Sequence, residues 1–291
     1  MKERVTVIGL GSMGAAIARA LLVKGFNVTV WNRDTAKAIP LKEKGAQLAD
    51  SPAAAIEASP LVVVCVSDYQ ATKKIFDNEG VATALSGRVL VQLSTGTPND
   101  ARLLEKWAKQ QGAVCLNGDI LAWPSQVGTE QATVTISGNK DKYNQMEAQL
   151  RALAGNLSFV GEEPGASGAL FAAVLAYLAG SWIGFCHGAL VCENEGLRAD
   201  DFGRLIEGIS PILAIESRNM GEVIQHNRFS DPESTVKTTG DDLQLLVQQA
   251  KEAGISTELP VFAASLFKRA MDAGYGQEEH AAIIKVLRKN A

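Results

Sequence analysis

Apolar residues fall into two different rhythms along this chain. Up to about Val160 they come as short β-branched runs set between helical patterns: Val5-Thr6-Val7-Ile8, Asn27-Val28-Thr29-Val30, Leu61-Val62-Val63-Val64-Cys65 and Val89-Leu90-Val91. Near-continuous apolar runs suit strands covered on both faces, and their alternation with helices predicts βαβ units and a parallel sheet. Ala113-Val114-Cys115-Leu116 and Thr133-Val134-Thr135-Ile136 extend the same sheet. Beyond Gly165 the spacing becomes helical, with breaks expected near Gly196, Gly208, Pro232, Gly254 and Gly274. The change of texture places a boundary near Glu163, giving an α/β domain over 1–163 and an all-α domain over 164–291. The first helical segment, roughly Gly165 to Glu193, is apolar on every side, so it must be buried all round. It would span about 40 Å, more than a small helical domain covers alone, so a partner subunit is expected against it.

Composition narrows the classes. Hydrophobic residues at 46% and charged residues at 21% suit a soluble globular chain. A net charge of -4 with scattered Lys and Arg offers no basic stripe for a phosphate backbone, so no nucleic-acid partner is expected. The longest apolar run, Ala169 to Ala179, reads as too short to span a membrane, and the N-terminus lacks the layout of a signal peptide. A cytoplasmic location is the expectation. Cys65, Cys115, Cys186 and Cys192 have no CxxC spacing and read as reduced core residues.

Candidate chemistry begins where the first strand ends. Gly9-Leu10-Gly11-Ser12-Met13-Gly14 follows a strand and opens a helix, which is the context a G-x-G-x-x-G dinucleotide turn requires. Gly9 permits the tight turn, Gly11 lets backbone amides reach a pyrophosphate, and Gly14 lets helix and strand approach. The first domain is therefore expected to be a Rossmann domain. The second strand ends in Asn32-Arg33, where an enzyme using the non-phosphorylated coenzyme would carry an acid for the ribose 2′-hydroxyl. Arg33 instead offers a planar cationic fork for a 2′-phosphate, and Lys37 one turn later adds a charge, so NADPH is the expected cofactor. Val66 and Ser67 after the third strand, and Thr95 after the fourth, lie on the carboxyl edge where open α/β sheets bind ligands. Thr95 could meet the nicotinamide ribose or the substrate, or serve as a helix N-cap.

Gly9 to Gly14, the run Trp31 to Ala38, the loop Ser94-Thr95-Gly96-Thr97-Pro98 and the segment Gly118 to Gly128 with its Ala122-Trp123-Pro124 core resemble the imine reductases. The resemblance extends over almost the whole chain. It implies a Rossmann domain, a long interdomain helix and an all-α C-terminal dimerisation domain intertwined with a second subunit. The active site would then lie between one subunit's cofactor and the partner's helices. Related hydroxyacid dehydrogenases carry Ser-Gly-Gly where this chain has Ala122-Trp123-Pro124. They also carry a Lys, followed by Asn, where it has Phe171 and then Val174 and Leu175. Without that Lys an alcohol or ketone oxygen has no proton partner at the usual position.

The activity implied is NADPH-dependent reduction of imines or iminium ions, with reductive amination of carbonyls as an extension. Trp123, Phe171, Leu175, Leu178, Trp182, Ile212 and Met220 are candidate walls of an apolar substrate pocket. Many imine reductases carry Asp or Tyr where this chain has Phe171, and some carry Tyr where it has Ala179. Tyr177 is then the first candidate proton donor, although six residues after Phe171 it points about 120° away on an ideal helix. Asp119 is the second, with a turn or cap as its ordinary role. His187 reads as a satisfied core residue, Glu193 and Glu195 as a solvated helix end, and no metal-ligand spacing is present. Three alternatives stay open: a conjugated or biosynthetic intermediate as substrate, hydroxyacid oxidation, and an NADPH-sensing protein without turnover.

Overall fold

The computed structural model describes residues 3–78 and 80–288. Among these residues eight strands form one sheet: β1 (Arg4–Ile8), β2 (Asn27–Trp31), β3 (Gln47–Leu48), β4 (Leu61–Val64), β5 (Val89–Gln92), β6 (Val114–Leu121), β7 (Thr133–Gly138) and β8 (Asn156–Phe159). Their order is β3-β2-β1-β4-β5-β6-β7-β8. All neighbours are parallel except β6 and β7, so the expected parallel sheet is corrected to a mixed one. The short linker after Leu121 has no helix to cross over with and lets β7 return directly alongside β6. β3 and β8 escaped the sequence reading because two and four residues at the sheet's edges carry little periodic signal.

Among the described residues seven α-helices accompany the sheet: α1 (Ser12–Val23), α2 (Ile39–Lys42), α3 (Pro52–Glu57), α4 (Tyr69–Phe76), α5 (Val81–Leu85), α6 (Pro98–Gln110) and α7 (Lys140–Arg151). Successive residues of β4 serve opposite cores. Leu61 and Val63 join Val5, Val7, Ile17 and Leu150 on one side, while Val62 and Val64 join Phe76, Leu85 and Leu90 on the other. Burying each such side chain is worth about 1.5–3 kcal/mol, and the two cores hold the strand ends in register.

The remaining helices are α8 (Ala166–Asn194), α9 (Ala199–His226), α10 (Val236–Glu252), α11 (Glu258–Asp272) and α12 (Ile284–Leu287). Two compact units divide between Ala176 and Tyr177, within α8. The start of α8 belongs to the sheet-bearing unit because Ser167 Oγ donates to Asp119 Oδ2 at 2.9 Å and lies 2.7 Å from Thr135 Oγ1. In the second unit Phe229, Val236, Phe267 and Ala270 form a small core with Ala281 and Ala282.

Two expectations about these helices need correction. The break near Gly208 is absent, since α9 runs through both Gly208 and Pro211. Pro211 has no N–H for the carbonyl of Glu207, and the Ser210 hydroxyl supplies the missing donor at 2.8 Å. The membrane reading by run length also fails. α8, with a mean hydropathy of 1.9 over its most apolar window, is the one helix among the described residues long and apolar enough to cross a membrane. Its Gly and Ser residues interrupt a strict apolar run without making the helix polar. Nor is it buried all round within one chain, for Tyr177, Trp182 and Ile183 are more than half exposed.

Candidate active site

The glycine turn is built by steric exclusion. Gly9 has φ +94°, and a Cβ there would fall 2.3 Å from the Cys65 carbonyl oxygen. A Cβ on Gly14 would fall 2.0 Å from the Gly9 oxygen, so α1 can sit this close to β1 only without one. Gly11 differs, because its Cβ would meet nothing within 4 Å. Its smallness leaves room in front of the turn rather than satisfying a contact inside it. Gly11 is also the N-cap of α1 and provides no side-chain bond, so the positive end of that helix is open to an anion. Leu10 is buried, Met13 half-buried and Ser12 exposed at this helix start.

Asn32 has a role that the sequence reading missed. Its Oδ1 accepts from the Leu10 N–H at 2.9 Å, and its Nδ2 donates to the Asp34 carbonyl at 2.8 Å. One amide thus ties the glycine turn to the end of β2. Asp34 caps the short turn Thr35–Ala38 by accepting from Ala36 N–H at 3.1 Å. Arg33 and Lys37 beside it are exposed. Neither forms an ion pair among the described residues.

Further along the same edge, a cavity of about 370 Å³ is lined by Tyr69, Thr95, Gly96, Pro98, Phe171, Ala172 and Leu175, with Asp68, Gln70, Thr97 and Asp100 at its polar side. The N-cap of α6 is Thr97, in a capping box with Asp100, which corrects the capping alternative for Thr95. The Thr95 side chain is exposed and makes no hydrogen bond among the described residues. Val66 N–H donates to Ser94 Oγ at 2.9 Å, and Ser67 is exposed beside it.

Beneath the cavity lies a buried polar strip on one face of the sheet. Tyr69 Oη donates to Asn117 Oδ1 at 3.1 Å, and Gln92 Nε2 donates to Thr72 Oγ1 at 2.8 Å. Asp119 is not a turn or cap residue but sits inside β6. Burial pushes its carboxyl pKa up, opposed by the Ser167 hydrogen bond. Burial also raises the Tyr69 phenol, with Cys115, Asp119 and Asp100 adding to the shift. Asp68, capping α4 through Ala71 N–H, is held below the usual carboxylate range by that bond.

Family models match both halves: the NAD binding domain of 6-phosphogluconate dehydrogenase over residues 4–161, and the C-terminal domain of NADPH-dependent reductive aminase-like proteins over residues 163–289. An NADPH-dependent reductive aminase of Aspergillus oryzae is 27% identical, over 98% of this chain and 97% of its own. The imine reductase of Myxococcus stipitatus, solved with NADP+, superposes with a TM-score of 0.91 at 31% identity, covering 98% of this chain and all (100%) of that one. The chain belongs to the imine reductase and reductive aminase family. A reductive aminase of Aspergillus terreus, solved with NADPH and ethyl levulinate, gives a TM-score of 0.91 at 30% identity over 99% of this chain and 100% of the other. More distant matches are oxidoreductases named for hydroxyacid and semialdehyde substrates.

As an imine reductase family member the chain is an NADP-dependent oxidoreductase of the β-hydroxyacid dehydrogenase superfamily. The residues fit the cofactor: an uncapped helix end, open space at Gly11, and two cations after β2 that form no ion pair among the described residues. Of the substrate walls expected for this imine reductase relative, the cavity gathers Phe171 and Leu175 with Thr95. It does not gather the others. Trp123 is 69% exposed in the turn after β6, Leu178 lies on α8, and Ile212 is exposed on α9. Met220 lines a different cavity, of about 240 Å³, with Glu216, Asn219 and Arg228. Tyr177 opens the second unit, where its Oη accepts from Ser217 Oγ at 3.4 Å.

Other expectations also shift. Cys65 and Cys115 are buried, and burial lifts the Cys65 thiol to about 11. Cys186 is exposed and Cys192 half-buried, so those two are not core residues within one chain. His187 is buried, but its Nε2 has no partner among the described residues. The fold, rather than any sequence spacing, assembles Glu216, Glu279 and His280. Glu216 lies 3.0 Å from His280 Nε2 and Glu279 2.6 Å from Nδ1. One ligand atom from each of the three lies within 4.8 Å of the others.

Proposed function

We propose that this protein reduces C=N bonds of imines or iminium ions with NADPH, and that it joins carbonyls with amines where the imine forms in place. The observation that carries this reading is the chemistry of the cavity wall. Phe171, where related hydroxyacid dehydrogenases carry a Lys, lines this wall with Ala172 and Leu175, so the α8 wall offers no proton donor to a ketone or alcohol oxygen. The two lining carboxylates are acceptors already engaged at helix starts, Asp68 by Ala71 N–H at 2.7 Å and Asp100 by Thr97 N–H at 2.9 Å. An alkyl iminium arrives already protonated and asks only for position and hydride. When bound, NADPH supplies that hydride. The apolar wall and the Tyr69 ring orient the cation and keep water away.

The exposed apolar faces of α8 support a homodimer in which each copy covers the other's helix, since a soluble monomer rarely leaves so large an apolar surface in water. Unpaired thiols agree with a reducing, cytoplasmic setting. The test is incubation with NADPH and a panel of five- and six-membered cyclic imines, following loss of reduced-nicotinamide absorbance. Turnover is expected. Silence across the panel, with NADPH binding intact, would overturn the reading.

A further inference from the structure

Phe171 leaves the α8 wall of the cavity apolar, so recognition of the substrate nitrogen falls to another wall. Tyr69 opens α4 immediately after its N-cap Asp68, and two contacts fix its ring. The ring lies against Gly96, where a Cβ would stand 2.3 and 2.4 Å from Cδ2 and Cε2. Its Oη donates to Asn117 Oδ1 at 3.1 Å, and Asn117 is only 2% exposed on β6. The one phenol hydrogen is therefore committed, and the oxygen's remaining capacity is to accept. Burial and the surrounding negative groups keep the phenol neutral. The Thr97 hydroxyl is committed as well, to Asp100 at 2.7 Å.

Resting on the iminium reduction proposed above, we propose that Tyr69 contacts the substrate: its phenol oxygen accepts a hydrogen bond from the N–H of a protonated iminium and so sets the position of the electrophilic carbon. The iminium carbon takes up the hydride with its electron pair, and the C=N π pair becomes the nitrogen lone pair. The N–H bond is retained, and no proton leaves or enters Tyr69. An iminium lacking N–H, such as an N-alkylated one, gains nothing from this contact.

The experiment compares the full-length wild type with Tyr69→Phe on two probes, methylpyrroline, which carries N–H when protonated, and N-methyldihydroisoquinolinium, which does not. Tyr69→Phe should keep NADPH affinity within about twofold. Loss of one charge-assisted hydrogen bond should lower kcat/KM on methylpyrroline by about tenfold or more and on the N-methyl cation by less than about threefold. Equal losses on both probes would reduce Tyr69 to a wall, and no loss on methylpyrroline would remove it from the reaction; either overturns the assignment. If the wild type fails to turn over either probe, pyrrolidinium binding to the protein with NADP+ decides. Wild type should bind it at least about fivefold more tightly than Tyr69→Phe, and equal affinity overturns the assignment. Inactivity of the wild type toward all imines refutes the reduction reading separately.

Discussion

Gly11 and Gly14 sit three residues apart in one turn, yet replacing each by alanine should fail in opposite ways. At Gly14 the new methyl would stand 2.0 Å from the Gly9 oxygen, 2.9 Å from the Gly9 carbonyl carbon and 3.2 Å from the Cys65 oxygen. All three are backbone atoms, so relief requires α1 or the turn to move by roughly 1 Å or more from where dispersion contact is normal. Overpacking of this kind costs about 1–3 kcal/mol or more, against roughly 0.4–1 kcal/mol gained by stiffening the unfolded chain. A net loss near about 2 kcal/mol lowers Tm by roughly 4–8 °C. At Gly11 the methyl meets nothing, and the backbone at φ -64°, ψ -178° suits any residue. Stability should then stay within about 1 kcal/mol. The methyl would instead occupy the space before the helix end, and losing one charge-assisted bond to the pyrophosphate weakens NADPH by about 10- to 150-fold. Thermal melts without cofactor and NADPH titrations by nicotinamide fluorescence separate the two. If Gly11→Ala melts as low as Gly14→Ala while keeping its NADPH affinity, the assignment of Gly11 to ligand space is wrong.

Asn32→Ala strands the buried Leu10 N–H and should cost about 1–3 kcal/mol. Asn32→Asp keeps an acceptor, so a melt as low as that of the alanine variant would contradict the brace. Arg33→Ala should weaken NADPH by about tenfold or more while leaving NADH affinity unchanged; parallel losses would show that Arg33 does not read the 2′-phosphate. The raised carboxyl of Asp119 costs stability as pH climbs from the ordinary aspartate value, about 3.9, through its higher folded value, and costs nothing below both. Asp119→Asn should accordingly melt above wild type at neutral pH, with the gap closing as pH falls toward about 4; a pH-independent gap would point to packing instead.

Six of the eight strands, the glycine turn, the cationic pair after β2 and the length of α8 were legible in the sequence, because each is a local pattern. A βαβ rhythm needs only neighbouring residues, and a G-x-G-x-x-G turn carries its backbone demands within six positions. The antiparallel return of β7 and the two-residue β3 were not legible, since pairing partners rather than propensity define them. The unbroken course of α9 through Pro211 was not legible either, for it is the Ser210 hydroxyl that satisfies the Glu207 carbonyl there.

The site divides in the same way. Thr95 could be named in advance from its place after β5, and Phe171 and Leu175 through the family resemblance, but their shared cavity arises only when the sheet edge and α8 meet. Tyr69 went unnoticed because nothing around position 69 marks it. Its meaning comes from Gly96, on the loop after β5, and Asn117, on β6, which are 27 and 48 residues away along the chain. Asp119 looked like a turn residue for a related reason: Ser167 and Thr135, which hold it inside the sheet, are distant in sequence and adjacent only in the fold. Local backbone preference could be read one residue at a time, whereas burial, and the proton affinities that burial shifts, exist only once separate segments share the same space.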